Sequence, residues 1–394
     1  MAERLGNLGY LGLVKETTPG VALTPNDYVP VYDETLMTTM NFIDQQPVAG
    51  NKFRTFSTIQ GLRSHAGDFT VLAEPNTTAK FFDMLLTKTS TTGTGPYTHT
   101  FDLSGDGNSY TIDISTGNVV KRFWGVKAST IADNWNKTEL QWKVTVSALG
   151  SFQGRALAST PTGSNPYTVT LSTDYDPNPT TGLVVGDLIR FYKMSDSSTI
   201  DTTVATVVDG QNITTTTDVT SFGAGDFVYL RPATVTFTLL PSFIWPKSEF
   251  RFSTTAAAAL TATQTRVEEG SVISIIHDFE DKAGSTRSGG FDPASLPRIT
   301  GDATFTLKKF FDTPEDISLQ NKLTKTAVVN RRFAGSTNQY EARFILNHLT
   351  TDGTVVPGIK SDTINYSEFT YHVDYDTTDG KAYSVVIVNN LATI

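Results

Sequence analysis

The fold is decided by the stretch Glu139-Leu-Gln-Trp-Lys-Val-Thr-Val-Ser-Ala148, in which apolar and polar side chains alternate. In an extended chain successive side chains point to opposite sides, so Leu140, Trp142 and Val144 share one side and the polar residues between them share the other. This period of two predicts a β-strand in a sheet with one packed face and one face in solvent.

Two other segments, far apart in the chain, follow the same rule. Asp68-Phe-Thr-Val-Leu-Ala-Glu74 and Asp302-Ala-Thr-Phe-Thr-Leu-Lys308 each follow a glycine and alternate as strands do. Tyr383-Ser-Val-Val-Ile-Val388, after a hairpin at 371–375, is expected to be the late counterpart of the 139–148 strand. Because β-branched and aromatic residues suit a half-buried pleated surface, the chain is predicted to be mainly β.

A short helix is expected after each of the strands that begin at Asp68 and Asp302. In the first, Asn76 or Thr77 is placed to cap the helix. In the second, Thr313-Pro-Glu-Asp316 resembles a capping box with Pro at the first helical position. Each helix is expected to cover one side of a sheet, so the predicted fold class is a mainly β protein of sandwich or barrel domains with a short flanking helix.

Matching residues recur in the same order in the two ends of the chain. Glu16-Thr-Thr-Pro-Gly-Val-Ala-Leu-Thr-Pro25 aligns with Ser253-Thr-Thr-Ala-Ala-Ala-Ala-Leu-Thr-Ala262 at an offset of 237. Further matches at offsets of 233 to 237 are Asp44/Asp278, Gly50/Gly284, Gly67/Gly301, Asp68/Asp302, residues 86–89 with 323–326, and 125–127 with 358–360. Ordered matches whose offset drifts only by the size of a loop indicate a tandem duplication.

Residues from about 159 to 232 have no counterpart in the other half and are predicted to be an insertion between the two copies. Short strands are expected at 185–191, 203–208, 212–216 and 224–230, separated by glycine-containing turns. They suggest a small barrel, with a long hairpin extension as the alternative. The predicted domains are residues 1–155, an inserted small β domain at 156–235, and a second copy at 236–394.

The composition limits the partners of the chain. Its formal net charge is -9, which disfavours a dedicated nucleic-acid binder, because affinity for phosphates needs clustered Lys and Arg. Cysteine is absent, which excludes disulfides, thiolate metal sites and a cysteine nucleophile. With no secretory leader pattern and no apolar run near the roughly 20 residues of a membrane span, the chain is expected to stay in the cytoplasm until assembly.

A search for catalytic and metal-binding patterns finds none that is specific. The histidines lack metal-ligand spacing and are expected on the surface or in strands, at His65, His99, His277, His348 and His372. The acidic run Asp374-Tyr-Asp-Thr-Thr-Asp-Gly380 lacks the terminal Glu of a calcium loop and favours a hairpin turn. The sequence contains no phosphate-loop or nucleophile-elbow motif. A hydrolase that uses two carboxylates from distant strands stays open as an alternative. We expect no enzyme, no metal site and no cofactor.

Several short motifs follow one another in the N-terminal part of the chain: Leu11-Gly-Leu-Val-Lys-Glu-Thr-Thr-Pro-Gly20, Pro25, Val29-Pro-Val31, Glu34 with Leu36, and Gly125-Val-Lys-Ala-Ser129. In this order they resemble the major tail tube proteins of long-tailed bacteriophages with non-contractile tails. The order of a glycine-containing loop, a strand and a short helix also matches, and the second half repeats it. The resemblance covers residues 1–155 and 236–394, and its motifs are specific only in combination.

The resemblance implies a structural virion protein. Its β-sandwich-like tube domains would join their long strands with those of neighbours in a continuous inner barrel, six domains to a ring. Two domains per chain then imply a homotrimeric ring, and stacked rings would form the tail tube for genome ejection. The implied partners are further copies of the chain, the enclosed tape-measure protein, the tail terminator and distal tail proteins, and double-stranded DNA in transient passage, without a membrane.

The same resemblance implies two working surfaces. An acidic lumen would repel phosphates and let DNA slide. Candidates to face it, with an outward orientation as the alternative, are Asp68, Thr70, Glu139, Gln141, Lys143, Asp302 and Thr304. Segments 45–66 and 282–300 match the family's ring-stacking loops, where the candidates are Gly50, Lys52, Arg54, Gly61, Arg287 and Gly290.

Two other functions stay open from the sequence. One is a different tail ring or baseplate component. The other is a carbohydrate-binding or adhesive β protein, for which Tyr192, Phe227 and Tyr229 of the insertion would supply a contact surface. The four tryptophans would also suit a sugar platform, but the place of Trp142 on the packed side of its strand favours a core or interface.

Overall fold

The computed structural model describes residues 9–46, 57–136, 138–174, 176–267, 271–279, 292–293, 295–310, 326–351 and 366–394. Over these residues the chain is mainly β, as the alternating patterns predict. Before the insertion the strands are β1 (Tyr10–Lys15), β2 (Asp27–Val29), β3 (Val31–Glu34), β4 (Met37–Gln45), β5 (Ser57–Leu72), β6 (Thr87–Thr92), β7 (Tyr97–Asp102), β8 (Tyr110–Ser115), β9 (Val120–Asn136), β10 (Glu139–Ala148) and β11 (Gly150–Phe152). In the insertion they are β12 (Arg155–Ala156), β13 (Tyr167–Thr170), β14 (Leu188–Tyr192), β15 (Thr199–Val207), β16 (Asn212–Thr215) and β17 (Phe227–Leu230).

After the insertion the strands are β18 (Ser248–Ser253), β19 (Gln264–Thr265), β20 (Val272–Phe279), β21 (Arg298–Phe310), β22 (Thr326–Ala334), β23 (Tyr340–Thr351), β24 (Tyr366–Val373) and β25 (Tyr383–Asn389). The helices are α1 (Pro75–Leu85), α2 (Ala256–Ala259) and a 3-10 turn at Trp245–Lys247.

The first predicted helix is present as α1, but its cap differs from the prediction. Glu74 is the N-cap, because its carboxylate accepts hydrogen bonds from the backbone N–H groups of Asn76, at 3.1 Å, and Thr77. Pro75 follows at the first helical position, where its missing N–H costs nothing. Asn76 and Thr77 were therefore wrong as caps. The second predicted helix, at 313–323, lies outside the described residues.

Two strands are longer than predicted. β5 begins at Ser57 and β21 at Arg298, so part of each segment expected to be a stacking loop is strand. In β5 the reason is the antiparallel ladder with β4, in which Ile43 pairs with Ile59 and Met37 with Ala66. A ladder of backbone hydrogen bonds holds this ribbon extended even where its side chains do not alternate.

Eight strands lie side by side in one antiparallel sheet, in the order β3, β5, β10, β9, β20, β21, β24, β23. One row of directly paired residues crosses all eight strands, and it reads Asp33, Thr70, Lys143, Ala132, Ser274, Thr304, His372 and Thr350. The pairing of β9 with β20 joins residues before the insertion to residues after it. We call this pairing the in-chain joint.

The eight strands fall into two units of four strands, and the strands pair in the same order in each unit. The first unit is β3, β5, β10 and β9, and the second is β20, β21, β24 and β23. Beside the first unit, β1 pairs with β2 and β8, and β8 pairs with β9. Beside the second unit, β18 pairs in the same way with β19 and β22, and β22 pairs with β23. Thr70 thus corresponds to Thr304, at the offset of 234 that the sequence matches show.

The register corrects two of the sequence matches. The counterpart of β10 is β24, because both pair with the long strand of their unit, whereas β25 pairs with β23 and β7. Tyr383–Asn389 is therefore not the equivalent of the 139–148 strand, and β24 forms no hairpin ladder with it. In β20, Ser274 corresponds to Asp33, an offset of 241, so the match of Asp44 with Asp278 was wrong. The matches at 284, 323–325 and 358–360 lie outside the described residues.

One hydrophobic core serves both four-strand units. α1 lies on the apolar side of the sheet, and its Phe82 ring contacts Trp142 of the first unit and Phe344 of the second, with centroids 5.7 Å away in each case. The Trp142 and Phe344 rings lie 6.0 Å apart. The two units therefore pack as one body around shared aromatic side chains.

The insertion has a separate core that includes side chains from outside it. Ile189, Phe191, Phe222 and Val228 cluster with Trp124 of β9 and with other buried residues of the segment. Arg122 of β9 spans the boundary, because its guanidinium binds Asp113 of β8 and Asp187 of the insertion. The insertion is thus packed onto the first half through a shared core and a buried ion cluster.

The C-terminal strand is held in the sheet, as we expected. β25 lies between β23 and β7, so Val385 pairs with Phe344 on one side and with Phe101 on the other. His99 of β7 is buried at this contact, where its Nε2–H donates to the carbonyl of Leu391 at 2.9 Å. The Thr91 hydroxyl donates to its Nδ1 at 3.0 Å. Of the five histidines, His65 and His277 are also buried strand residues.

We expect acid to destabilise the folded chain through two buried histidines, His99 of β7 and His277 of β20. Burial lowers the pKa of His99 and of His277 below the ordinary value. Below about pH 6.5 the unfolded chain therefore binds protons that the folded chain does not, so stability is lost as the pH falls. Denaturant midpoints at pH 7.5 and 5.5 measure the loss. The double variant His99→Gln/His277→Gln should show a smaller difference between the two pH values, and an unchanged difference would refute the prediction.

Candidate functional site: the polar face of the central sheet

The central sheet has one polar side and one buried side. We call the side that carries Asp33, Thr70, Lys143, Ser274, Thr304, His372 and Thr350 the polar face. Its side chains are half-buried or exposed. The next row along the strands points the opposite way into the core and comprises Phe69, Val144, Ile131, Ile275 and Ala303, all buried. The alternation read from the 139–148 segment therefore extends across both units.

All seven side chains expected to face a lumen lie on the polar face. Asp68 and Thr70 are on β5, Glu139, Gln141 and Lys143 on β10, and Asp302 and Thr304 on β21. Sequence analysis missed the other strands of this surface, including Ser274 and His372. Gln141 departs from the others because it is buried, with its amide oxygen accepting from Asn134 at 3.3 Å.

Carboxylates recur at equivalent places on the polar face. Asp68 and Asp302 occupy the same position in the two units, and Asp302 is exposed. Asp68 forms an ion pair with Lys143 across the strands at 3.2 Å, in which the lysine side chain is about half exposed. Exposed pairs of this kind are worth at most about 1 kcal/mol and are screened by salt. The described part of the polar face is therefore a mixed surface of hydroxyls and charges, in which Lys143 is paired with Asp68.

The ring-stacking candidates are mostly outside the described residues. This applies to Gly50, Lys52, Arg54, Arg287 and Gly290. Gly61 lies within β5, so it is a strand residue of the β4–β5 ribbon and not a loop residue. A Cβ at this position would lie 3.2 Å from the backbone oxygen of Asn41 in β4. The prediction of a loop at Gly61 was wrong because cross-strand pairing extends through it.

The β4–β5 ribbon exposes an unusual number of apolar side chains. Those more than a third exposed are Met37, Met40, Phe42, Ile43, Ile59 and Leu62. A two-stranded ribbon gains little stability by itself, and such a patch typically marks an interaction surface. At the base of the ribbon, Met40 and Arg63 line a cleft of about 280 Å³ together with Arg155 and Phe227 of the insertion.

The aromatic residues of the insertion lie on neighbouring strands. Tyr192 pairs with Phe227, and Arg190 pairs with Tyr229, so these side chains share one side of β14 and β17. Phe227 is exposed, whereas both tyrosines are half-buried. Among the tryptophans, Trp142 and Trp124 are buried and Trp135 packs edge-on against Trp245 at 5.0 Å, which is a packing arrangement.

Across the described ranges, no group of three or more His, Asp or Glu side chains is arranged to hold a metal ion. The 374–380 segment forms a turn in which Asp376 accepts hydrogen bonds from the backbone of Thr378 and Asp379, at 2.7 and 3.3 Å. None of the described helices is long and apolar enough to cross a membrane.

The fold and the polar face define a class of protein: a β protein of two four-strand units joined edge to edge, with one side packed and the other wet. No protein-family model matches this sequence, and no curated protein matches it at a significant level.

Proposed function

We propose that this chain is a structural building block of a phage tail tube, a virion protein that assembles into closed, stacked rings. The observation that carries the proposal is the repetition of a four-strand unit across the in-chain joint, with one continuous polar face. A unit that joins its own copy edge to edge within a chain can join further copies in the same way, and closing the sheet removes its open edges.

The polar face supports a conduit for DNA. Over the described residues the polar face carries hydroxyls and carboxylates, and its Lys143 is paired with Asp68, so a duplex would release few counterions there and would pass without adhering. The shared core favours rigidity, because α1 packs against both units through Phe82. The ring would contain three chains, enclose the tape-measure protein and contact terminator and distal tail proteins at its ends. No step of this function requires a reacting side chain.

Electron microscopy of the purified chain tests the proposal. Negative-stain images are expected to show rings with threefold symmetry or hollow tubes, and light scattering should give the mass of three chains or multiples of it. A chain that stays monomeric at high concentration and binds glycans through the Phe227 side of the insertion would instead support the adhesive alternative. A ring at the tip of a tail, without tubes, would support a baseplate component.

A further inference from the structure

We propose that the cleft between the base of the β4–β5 ribbon and the insertion binds a primary ammonium group at the end of an unbranched aliphatic chain. This is the chemistry of a lysine side chain and of a free alkylamine. The cleft has a volume of about 280 Å³, and its walls come from the ribbon, from β11 and from the insertion. Ring assembly is not required for such binding.

The hydrogen bonds along one wall of the cleft have a fixed direction that starts at Asp292. Its carboxylate accepts two hydrogen bonds from the Arg63 guanidinium, at 2.8 and 2.9 Å, so it is ionised and can only accept. Nε2 of His65, 3.0 Å from the same carboxylate, therefore carries a proton. In the neutral imidazole Nδ1 is then an acceptor, so the Thr38 hydroxyl, 2.9 Å away, donates its one proton to it.

The Thr38 oxygen can consequently only accept from its other two neighbours. Oγ of Ser151 lies 2.6 Å from it and donates, which leaves Ser151 with lone pairs alone for a ligand. Gln153 donates through Nε2 at 3.0 Å, which fixes the orientation of its amide and leaves Oε1 outside this contact. Because Ser151 and Gln153 both line the cleft, both offer it acceptor atoms.

The two arginines that line the cleft are balanced within the chain. Arg63 binds Asp292, as described above. Arg155 donates to the buried carboxylate of Asp176 at 2.9 Å and to the carbonyl of Gly154 at 3.0 Å. Each guanidinium thus has its own carboxylate, and neither is available to draw an anion into the cleft.

Asp174 adds a carboxylate that is not balanced in this way. It is exposed and lines the cleft, and among the described residues no side chain forms a hydrogen bond or an ion pair with its carboxylate. Two guanidinium groups therefore stand against three carboxylates around the cleft. The excess of one negative charge favours a cation over an anion.

The remaining part of the cleft is apolar and suits an aliphatic chain. Met40 of the ribbon is 37% exposed and Phe227 of β17 is 42% exposed, although both line the cleft. An aliphatic chain lying on these side chains would cover them, and a cation close to the Phe227 ring is attracted by its face. An ammonium group has three donors and no acceptor, which matches the acceptors of Ser151, Gln153 and Asp174.

Saturation-transfer NMR on the purified full chain tests this site. The probes are n-pentylammonium and the blocked amino acid Nα-acetyl-lysine N-methylamide, and both are expected to bind. Their uncharged counterparts, n-pentanol and the norleucine derivative, should not. Asp174→Asn and Phe227→Ala should each weaken binding about three- to fivefold, because one removes the unbalanced charge and the other the aromatic wall.

The matched controls are Asp218→Asn and Val185→Ala. Both residues are exposed on the insertion and lie outside the cleft, so both variants should bind the amines as the natural chain does. Circular dichroism of all four variants checks that they are folded. Added salt should weaken binding of the amines, since the attraction to an exposed carboxylate is screened.

Amine binding that Asp174→Asn weakens and the controls retain supports the site. A stronger signal from the lysine derivative than from n-pentylammonium then assigns the ligand to a polypeptide, and equal signals assign it to a free amine. Equal binding of the uncharged probes, or amine binding that Asp174→Asn leaves unchanged, overturns the site, as does binding of glucose in place of the amines. Electron micrographs report assembly separately, so rings without amine binding overturn only the amine site, and amine binding without rings overturns only the tube function.

Discussion

Replacing Arg332 by Met should lower the free energy of unfolding by about 3–5 kcal/mol, because it leaves a buried carboxylate without its counter-charge. Arg332 of the second half donates two hydrogen bonds to Asp133 of the first, both at 2.7 Å, and the two side chains are almost fully buried. Its guanidinium also lies over the rings of Trp142 and Phe344, at 5.5 and 4.7 Å from their centroids. Asp133 further accepts from the backbone N–H of Ile273, so the pair holds the in-chain joint.

Urea or guanidinium unfolding of the variant at fixed protein concentration measures this effect. Arg190→Met is the matched control, because Arg190 pairs with Asp201 on the surface and exposed pairs are worth at most about 1 kcal/mol. The double variant Arg332→Met/Asp133→Leu should recover part of the loss, since it removes both charges together. If Arg332→Met were as mild as the control, the pair would not tie the two halves.

Replacing Arg122 by Met should have an effect of similar size, about 3–5 kcal/mol for a buried charge left unpaired, with a different location and pH dependence. Arg122 donates to Asp113 at 2.7 and 2.8 Å, to Asp187 at 2.5 Å and to the carbonyl of Gly182 at 3.1 Å. Without it two buried carboxylates face each other at the boundary of the insertion. We therefore expect the insertion to become the first site of protease cleavage.

The pH dependence of Arg122→Met follows from Asp113. Burial raises the pKa of Asp113, and Arg122 opposes that rise. A carboxyl whose pKa is higher in the folded state than in the unfolded state loses stability as the pH rises, and the variant lacks the opposing cation. The loss of stability should thus be larger at pH 7 than at pH 5. Arg231→Met, at an exposed pair of the insertion, should show neither the loss nor the cleavage.

The positions of single strands were accessible from the sequence because alternation is a local property. Leu140, Trp142 and Val144 had to share a side of any strand they formed, and the seven polar candidates had to share the other. The same reasoning missed the cap at Glu74 and the extent of β5. There, capping by a longer side chain and a ladder with β4 outweighed the local turn signals.

By itself, then, the sequence determined a mainly β chain, the packed and wet sides of its strands, the end-to-end repetition of residues and the absence of a specific catalytic or metal pattern. Only the tertiary structure decided which strands are neighbours, because pairing between distant strands depends on backbone hydrogen bonds and core packing that no local pattern encodes. It made β24 the counterpart of β10, brought Asp133 to Arg332, and joined β9 to β20. It also decided that the polar His65 is buried while the apolar Leu62 is exposed, since burial depends on what packs over a residue and not on the residue alone.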